Sequence, residues 1–154
     1  MDRYRLARQE KTWGDTAVDG LLAGLAGGGV MLIGLEAVGW LAGTAPLTML
    51  GYFDPALTGN WLTGLLAHFA VAAIYGVVFA VLLRVAGRLR PSIVKRAWLW
   101  GMAFGLLLWG LAVGALRTAV ASPLNQIPAW TFGLAHLLYG LALGLWLERN
   151  HSGG

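Results

Sequence analysis

Cysteine is absent from the sequence. That excludes disulfides, thiolate metal sites and cysteine nucleophiles, and it fits either redox compartment. Charge is scarce as well, at 12% of the residues, where a soluble protein carries about 25%. The motifs of soluble enzymes are also missing. There is no phosphate-binding glycine loop of the Walker type and no His-Glu-x-x-His. Ser92, Ser122 and Ser152 lie outside the apolar runs, so no Ser-His-Asp arrangement is suggested. The expectation is a protein that is not an enzyme.

What is present is mostly apolar. Hydrophobic residues make up 58% of a 154-residue chain, more than one small core can hide from water. Lipid is the natural solvent for such a chain. Most of its eight Trp stand near the ends of apolar runs, and Trp favours the headgroup level of a bilayer. The formal charge of +4 does not argue for nucleic acid, because the basic residues flank the runs, where membrane orientation requires them.

The clearest run is Trp61 to Arg84, WLTGLLAHFAVAAIYGVVFAVLLR, whose only strongly polar side chain inside the ends is His68. A bilayer crossing needs about 20 apolar residues. Part of this run returns as Trp130 to Arg149, WTFGLAHLLYGLALGLWLER. Four spans are expected, at about 16–42, 62–83, 97–116 and 129–147, which makes the fold an all-α integral membrane four-helix bundle in one domain. The N-terminus has a basic start but no short apolar core with a cleavage site, so a retained first span is expected. Residues 43–60 carry Pro46, Gly51, Pro55 and Gly59. These break any helix, and the segment is expected to lie at the headgroups or to fold over the bundle mouth.

Glycine is placed for close packing. Gly20-x-x-x-Gly24-x-x-x-Gly28 on the first span, Gly101-x-x-x-Gly105 and Gly110-x-x-x-Gly114 on the third, and Gly76, Gly140 and Gly144 on the second and fourth form small-residue faces. A two-plus-two repeat of helical hairpins is suggested. GLLAH and GLAH recur, then Tyr75-Gly76 and Tyr139-Gly140, and Gly24-x-Ala26-x-Gly28 matches Gly101-x-Ala103-x-Gly105. Of the 11 Lys and Arg residues, all but Arg117 fall on one side of such a bundle. The positive-inside rule then puts both termini and the middle connection in the cytoplasm, and the chain in an inner (plasma) membrane. Anionic lipid is an expected partner of the basic segments.

Three ionisable side chains interrupt the spans. At a rise of about 1.5 Å per residue, Glu36 lies roughly 6 Å below Trp40, His68 roughly 10 Å below Trp61, and His136 roughly 9 Å below Trp130. Each shares a face with small residues, which point toward other helices rather than lipid. A buried cluster of Glu36, His68 and His136 is therefore expected, with Arg117 and Tyr139 as further members. Four readings of it stand open. It is interhelical hydrogen-bond glue, a proton- or small-solute-binding site, a centre for a divalent metal or a b-type haem held by His68 and His136, or a contact with another membrane subunit or a second copy.

The layout resembles a family of short bacterial four-span membrane proteins of unknown function. The similarity is carried by GLLAGLAGGGVMLIGLEAVG, Pro46, Leu50-Gly51, GLLAHFAVAAIYGVVFAVLL and GLAHLLYGLALGLWL. More remotely it is similar to the YagU-like inner-membrane family, which also has a Glu late in its first span and a His early in its last. These families have no established catalytic residues, so the resemblance implies a membrane fold and assigns no residue a role. The polar cluster and the glycine faces themselves leave three functional expectations: a proton- or small-solute-responsive membrane protein, an accessory subunit of a larger energy-transducing or transport complex, or a small b-haem or metal-binding membrane protein.

Overall fold

The computed structural model describes residues 11–116 and 123–152. Their regular structure is helical throughout, with no strand among them. Helix α1 is Trp13–Leu41, α2 Thr48–Gly51, α3 Trp61–Leu89, α4 Ala97–Leu111 and α5 Ala129–Ser152. A 3-10 turn, Val94–Arg96, leads into α4, and a π-helical turn, Ala112–Leu116, ends it. Among the described residues, four helices are long and apolar enough to cross a membrane. Their outward residues are large and apolar: Ile33 is 72% exposed and Ile74 61%. A surface so apolar suits acyl chains and would drive association in water.

Side chains set the helix ends. Thr12 and Asp15 form a reciprocal capping box at the start of α1. Asn60 accepts from the amides of Leu62 and Thr63 at the start of α3. α3 runs past the expected end at Leu83 because its next turn is held. The Arg84 guanidinium donates to the carbonyl oxygens of Lys11 and Thr12 and to the Thr16 hydroxyl, and it stacks 4.3 Å from the Trp13 ring.

The bundle is two hairpins, each closed on glycine. In the first, a Cβ on Gly24 would stand 2.4 Å from the Ala72 carbonyl oxygen, and one on Gly76 would stand 2.2 Å from that of Gly20. In the second, a Cβ on Gly101 would stand 2.1 Å from the Gly140 oxygen, one on Gly105 2.2 Å from that of His136, and one on Gly144 2.4 Å from that of Ala97. Gly28 differs: a Cβ there would meet side chains, the Ala72 Cβ at 2.8 Å and His68 Nε2 at 3.5 Å. Only glycine lets the backbones come this close. The repeated register pairs Gly20, Gly24 and Gly28 with Ala97, Gly101 and Gly105, and His68, Ala72 and Gly76 with His136, Gly140 and Gly144. The Tyr-Gly dipeptides are one turn out of that register, because Gly76 takes the place of Gly144 and not of Gly140. Gly110 departs from expectation: a Cβ there would meet nothing within 4 Å, so it packs against no described helix.

The two hairpins join through α1 and α5, while α3 and α4 barely meet. That leaves a seam between α3 and α4. At the end away from the basic connection, residues 43–60 fold over the bundle mouth. They contain the short helix α2, which the prolines and glycines did not suggest. α2 lies on α3 so closely that a Cβ on Gly64 would fall 1.9 Å from the Leu50 carbonyl oxygen.

Candidate functional site: a cavity between two histidines

A cavity of about 500 Å³ lies under the folded-over connection. His68, Tyr75 and Ala72 reach it from α3, Leu108 and Leu111 from α4, and His136 and Tyr139 from α5, with Phe53 and Asp54 closing its top. The volume falls in the range of small-molecule sites, which are mostly apolar with a few placed polar groups.

The two histidines are held alike. His68 Nε2 lies 3.0 Å from the Gly28 carbonyl oxygen on α1, and His136 Nδ1 lies 2.8 Å from that of Phe132 one turn earlier on α5. A carbonyl has no proton to give, so in each ring the facing nitrogen carries the hydrogen and donates it. In the neutral imidazole the other nitrogen is then an acceptor. No described residue hydrogen-bonds His68 Nδ1 or His136 Nε2, and no described carboxylate stands within ion-pair distance of either ring. Both rings are more than 90% buried, with relative exposures of 7% and 8%. Tyr139 adds a donor already in use: its hydroxyl bonds the Ala72 carbonyl oxygen at 2.8 Å.

Phenyl rings link the imidazoles. Phe53 meets His68 edge-on with centroids 5.0 Å apart, Phe132 meets His136 edge-on at 4.5 Å, and the two phenyl rings lie 6.3 Å from each other. A b-type haem ligated by both histidines would have to displace these rings, so the residues as arranged do not fit it.

Glu36 does not join the site, which corrects the expected cluster. Its carboxylate turns the other way and accepts from the amides of Leu47, at 3.2 Å, and Leu50, at 3.1 Å, capping α2. The reason is local. The α2 amides need an acceptor, and Leu47 sits at φ 65°, a backbone region that disfavours a branched side chain. With Glu36 elsewhere, the two-imidazole, one-carboxylate metal centre is not assembled. No group of three potential ligands forms among the described residues. Arg117 lies outside the described residues.

Asp54 is the cavity residue that the sequence reading missed. It is buried at 2% exposure and satisfied by a knot of donors. The Thr58 hydroxyl and amide reach Oδ2 at 2.6 and 2.9 Å, the Asn60 amide at 3.2 Å, and the Thr63 hydroxyl and Ala56 amide reach Oδ1 at 2.8 and 3.1 Å. The Thr58 hydroxyl and then the Thr63 hydroxyl hold its carboxyl well below the usual aspartate range against the opposing effect of burial, and the Ala56 and Asn60 amides add less. A sequence signal did exist: Asp-Pro-Ala-Leu-Thr-Gly-Asn is a run of turn formers in which an Asp can bond the backbone just ahead of it.

The fold and this cavity define a four-span helical membrane protein with a small intramembrane chamber. No family model matches the chain, and no curated protein or solved structure matches it.

Proposed function

We propose that the chain is a non-enzymatic protein of the bacterial inner membrane that binds a small, mainly apolar molecule bearing a hydrogen-bond donor, such as a hydroxyl. The observation that carries this is the pair of unpaired acceptor nitrogens, His68 Nδ1 and His136 Nε2, on one mostly apolar cavity whose Asp54 carboxylate and Tyr139 hydroxyl are already bonded. Two acceptors select a donor-bearing guest, since a ligand that leaves them unpaired forfeits the bond. The route in is lateral. Val71 and Leu111, which line the cavity beside the α3–α4 seam, are 49% and 56% exposed, so a molecule dissolved in lipid reaches it without crossing water. The basic end of the bundle faces the cytoplasm, as the charge asymmetry favours. A proton relay has less support than solute binding, because Glu36 is committed to α2.

The test is equilibrium binding of a radiolabelled alkylphenol and of its O-methyl ether to the full chain in nanodiscs. The reading expects saturable binding of the phenol and weaker binding of the ether. That difference should vanish in the His68→Leu, His136→Leu double variant. Equal binding of both probes to the wild type, or a difference that survives the double substitution, would overturn it.

A further inference from the structure

The seam between α3 and α4 contains a second concavity, independent of the histidine cavity and nearer the basic end. It measures about 400 Å³, and every lining residue is apolar. Phe79, Leu83 and Ala86 line its α3 side and Trp100 and Phe104 its α4 side, the Phe79 and Phe104 rings meeting at 5.1 Å between centroids, and Ile93 closes the end. Phe79 to Ala86 is seven residues, so the α3 side is roughly 10 Å long, parallel to the helices. A groove whose exposed lining is wholly apolar, opening sideways from a membrane bundle, suits a hydrocarbon chain.

The charges at its closed end say what that chain belongs to. Backbone bonds from the Ile93 amide to the Arg90 oxygen, at 3.0 Å, and from the Arg96 amide to the Ile93 oxygen, at 3.1 Å, wind Arg90, Ile93 and Arg96 into successive tight turns. Arg90, Lys95 and Arg96 are exposed there, and none of their side chains makes a hydrogen bond or ion pair with a described residue. Arg84 and Arg88 differ. Both lie over the Trp13 ring, at 4.3 and 5.0 Å, and serve the junction of α1 and α3. Three uncommitted cations thus stand at the end of an apolar groove, just beyond the end of α3 at Leu89.

We propose that this groove binds one anionic phospholipid, with an acyl chain along Leu83 and Ala86 against Trp100 and its phosphate among Arg90, Lys95 and Arg96. Cations near an anionic membrane surface attract it by a factor of roughly five each. The combined preference for an anionic over a zwitterionic lipid of the same chains is therefore at least several-fold.

Native mass spectrometry of the full chain, released from nanodiscs of equimolar phosphatidylglycerol and phosphatidylcholine, reads this directly. The expected result is a one-to-one adduct enriched at least fivefold in phosphatidylglycerol. The triple variant Arg90→Gln, Lys95→Gln, Arg96→Gln should keep the adduct but bring the two lipids to near equality. Ala86→Phe, which fills the groove, should lose the adduct of either lipid. If Ala86→Phe does not assemble, as circular dichroism would reveal, the charge variant decides alone. Equal adducts in the wild type, or an unchanged preference in the triple variant, would overturn the proposal. Neither outcome bears on phenol binding at the histidine cavity.

Discussion

The Tyr139 hydroxyl on α5 donates to the Ala72 carbonyl oxygen on α3, 2.8 Å away. That oxygen also lies where a Cβ on Gly24 would come within 2.4 Å of it. Three helices therefore meet at one carbonyl, and the bond ties the second hairpin to the first beside the histidine cavity. Tyr139→Phe keeps the ring and removes the bond. Interhelical hydrogen bonds in membranes average about 0.6 kcal/mol, so a loss of about 0.5–1.5 kcal/mol is expected in reversible unfolding from mixed micelles. A loss near zero would mean that ring packing against Gly27 already holds the hairpins together.

The two kinds of glycine should respond differently to alanine. At Gly101 the new methyl would lie 2.1 Å from the backbone oxygen of Gly140, and backbone cannot swing aside as a side chain can. Gly101→Ala must spread α4 from α5, at a cost of about 1–3 kcal/mol. At Gly110 the methyl enters open space, and the better helix propensity of alanine makes Gly110→Ala neutral or slightly stabilising. Unfolding of both variants in parallel checks the contrast. Equal losses would show that Gly110 meets a surface outside the single chain.

Glu36 is expected to behave as a loop clamp rather than as a member of the cavity. Hydrogen bonds to a charged group contribute about 1.5–3 kcal/mol, so Glu36→Ala should release α2 and lower stability by about that much. Glu36→Gln keeps the shape and one acceptor and should lose less. Limited proteolysis across residues 43–60 reports the release. Alkylphenol binding by Glu36→Gln should match the wild type. Loss of binding there, with the loop still protected, would return Glu36 to the cavity.

These outcomes trace what could be read from residues alone. The spans, the hairpin glycines and the kinship of His68 and His136 were legible because each depends on spacing along one helix, and GLLAH and GLAH mark equivalent turns. The position of Glu36 was not. Depth and helix face constrain a side chain's height and direction, but they do not say which element waits there. Here it was α2, a single turn in a segment whose prolines and glycines argued for irregular chain. Asp54 was missed for a related reason: its partners, Ala56, Thr58, Asn60 and Thr63, bond it only once the loop has closed on itself. Tyr139 was legible as a neighbour of the histidines, while its bond to Ala72 required the two hairpins to be docked.

Asp54 is expected to set the pH dependence of the closed loop. Its carboxyl is held below the ordinary aspartate value of 3.8, chiefly by the Thr58 and Thr63 hydroxyls. A group whose folded value is depressed contributes stability that is complete above the unfolded value and declines as pH falls below it. The loop should therefore stay closed at neutral and mildly acidic pH, then loosen progressively below about pH 3.8, because a protonated carboxyl must give up acceptor capacity to the same five donors. The Phe53 ring rests on His68 one residue from Asp54, so opening in acid should also expose the cavity. Fluorescence of a probe attached at Leu57, or hydrogen exchange at the Thr58 and Asn60 amides, follows the transition. Asp54→Asn should show the loosened loop already at neutral pH and flatten the acid response, and an unaltered acid transition in that variant would transfer the effect to another carboxylate.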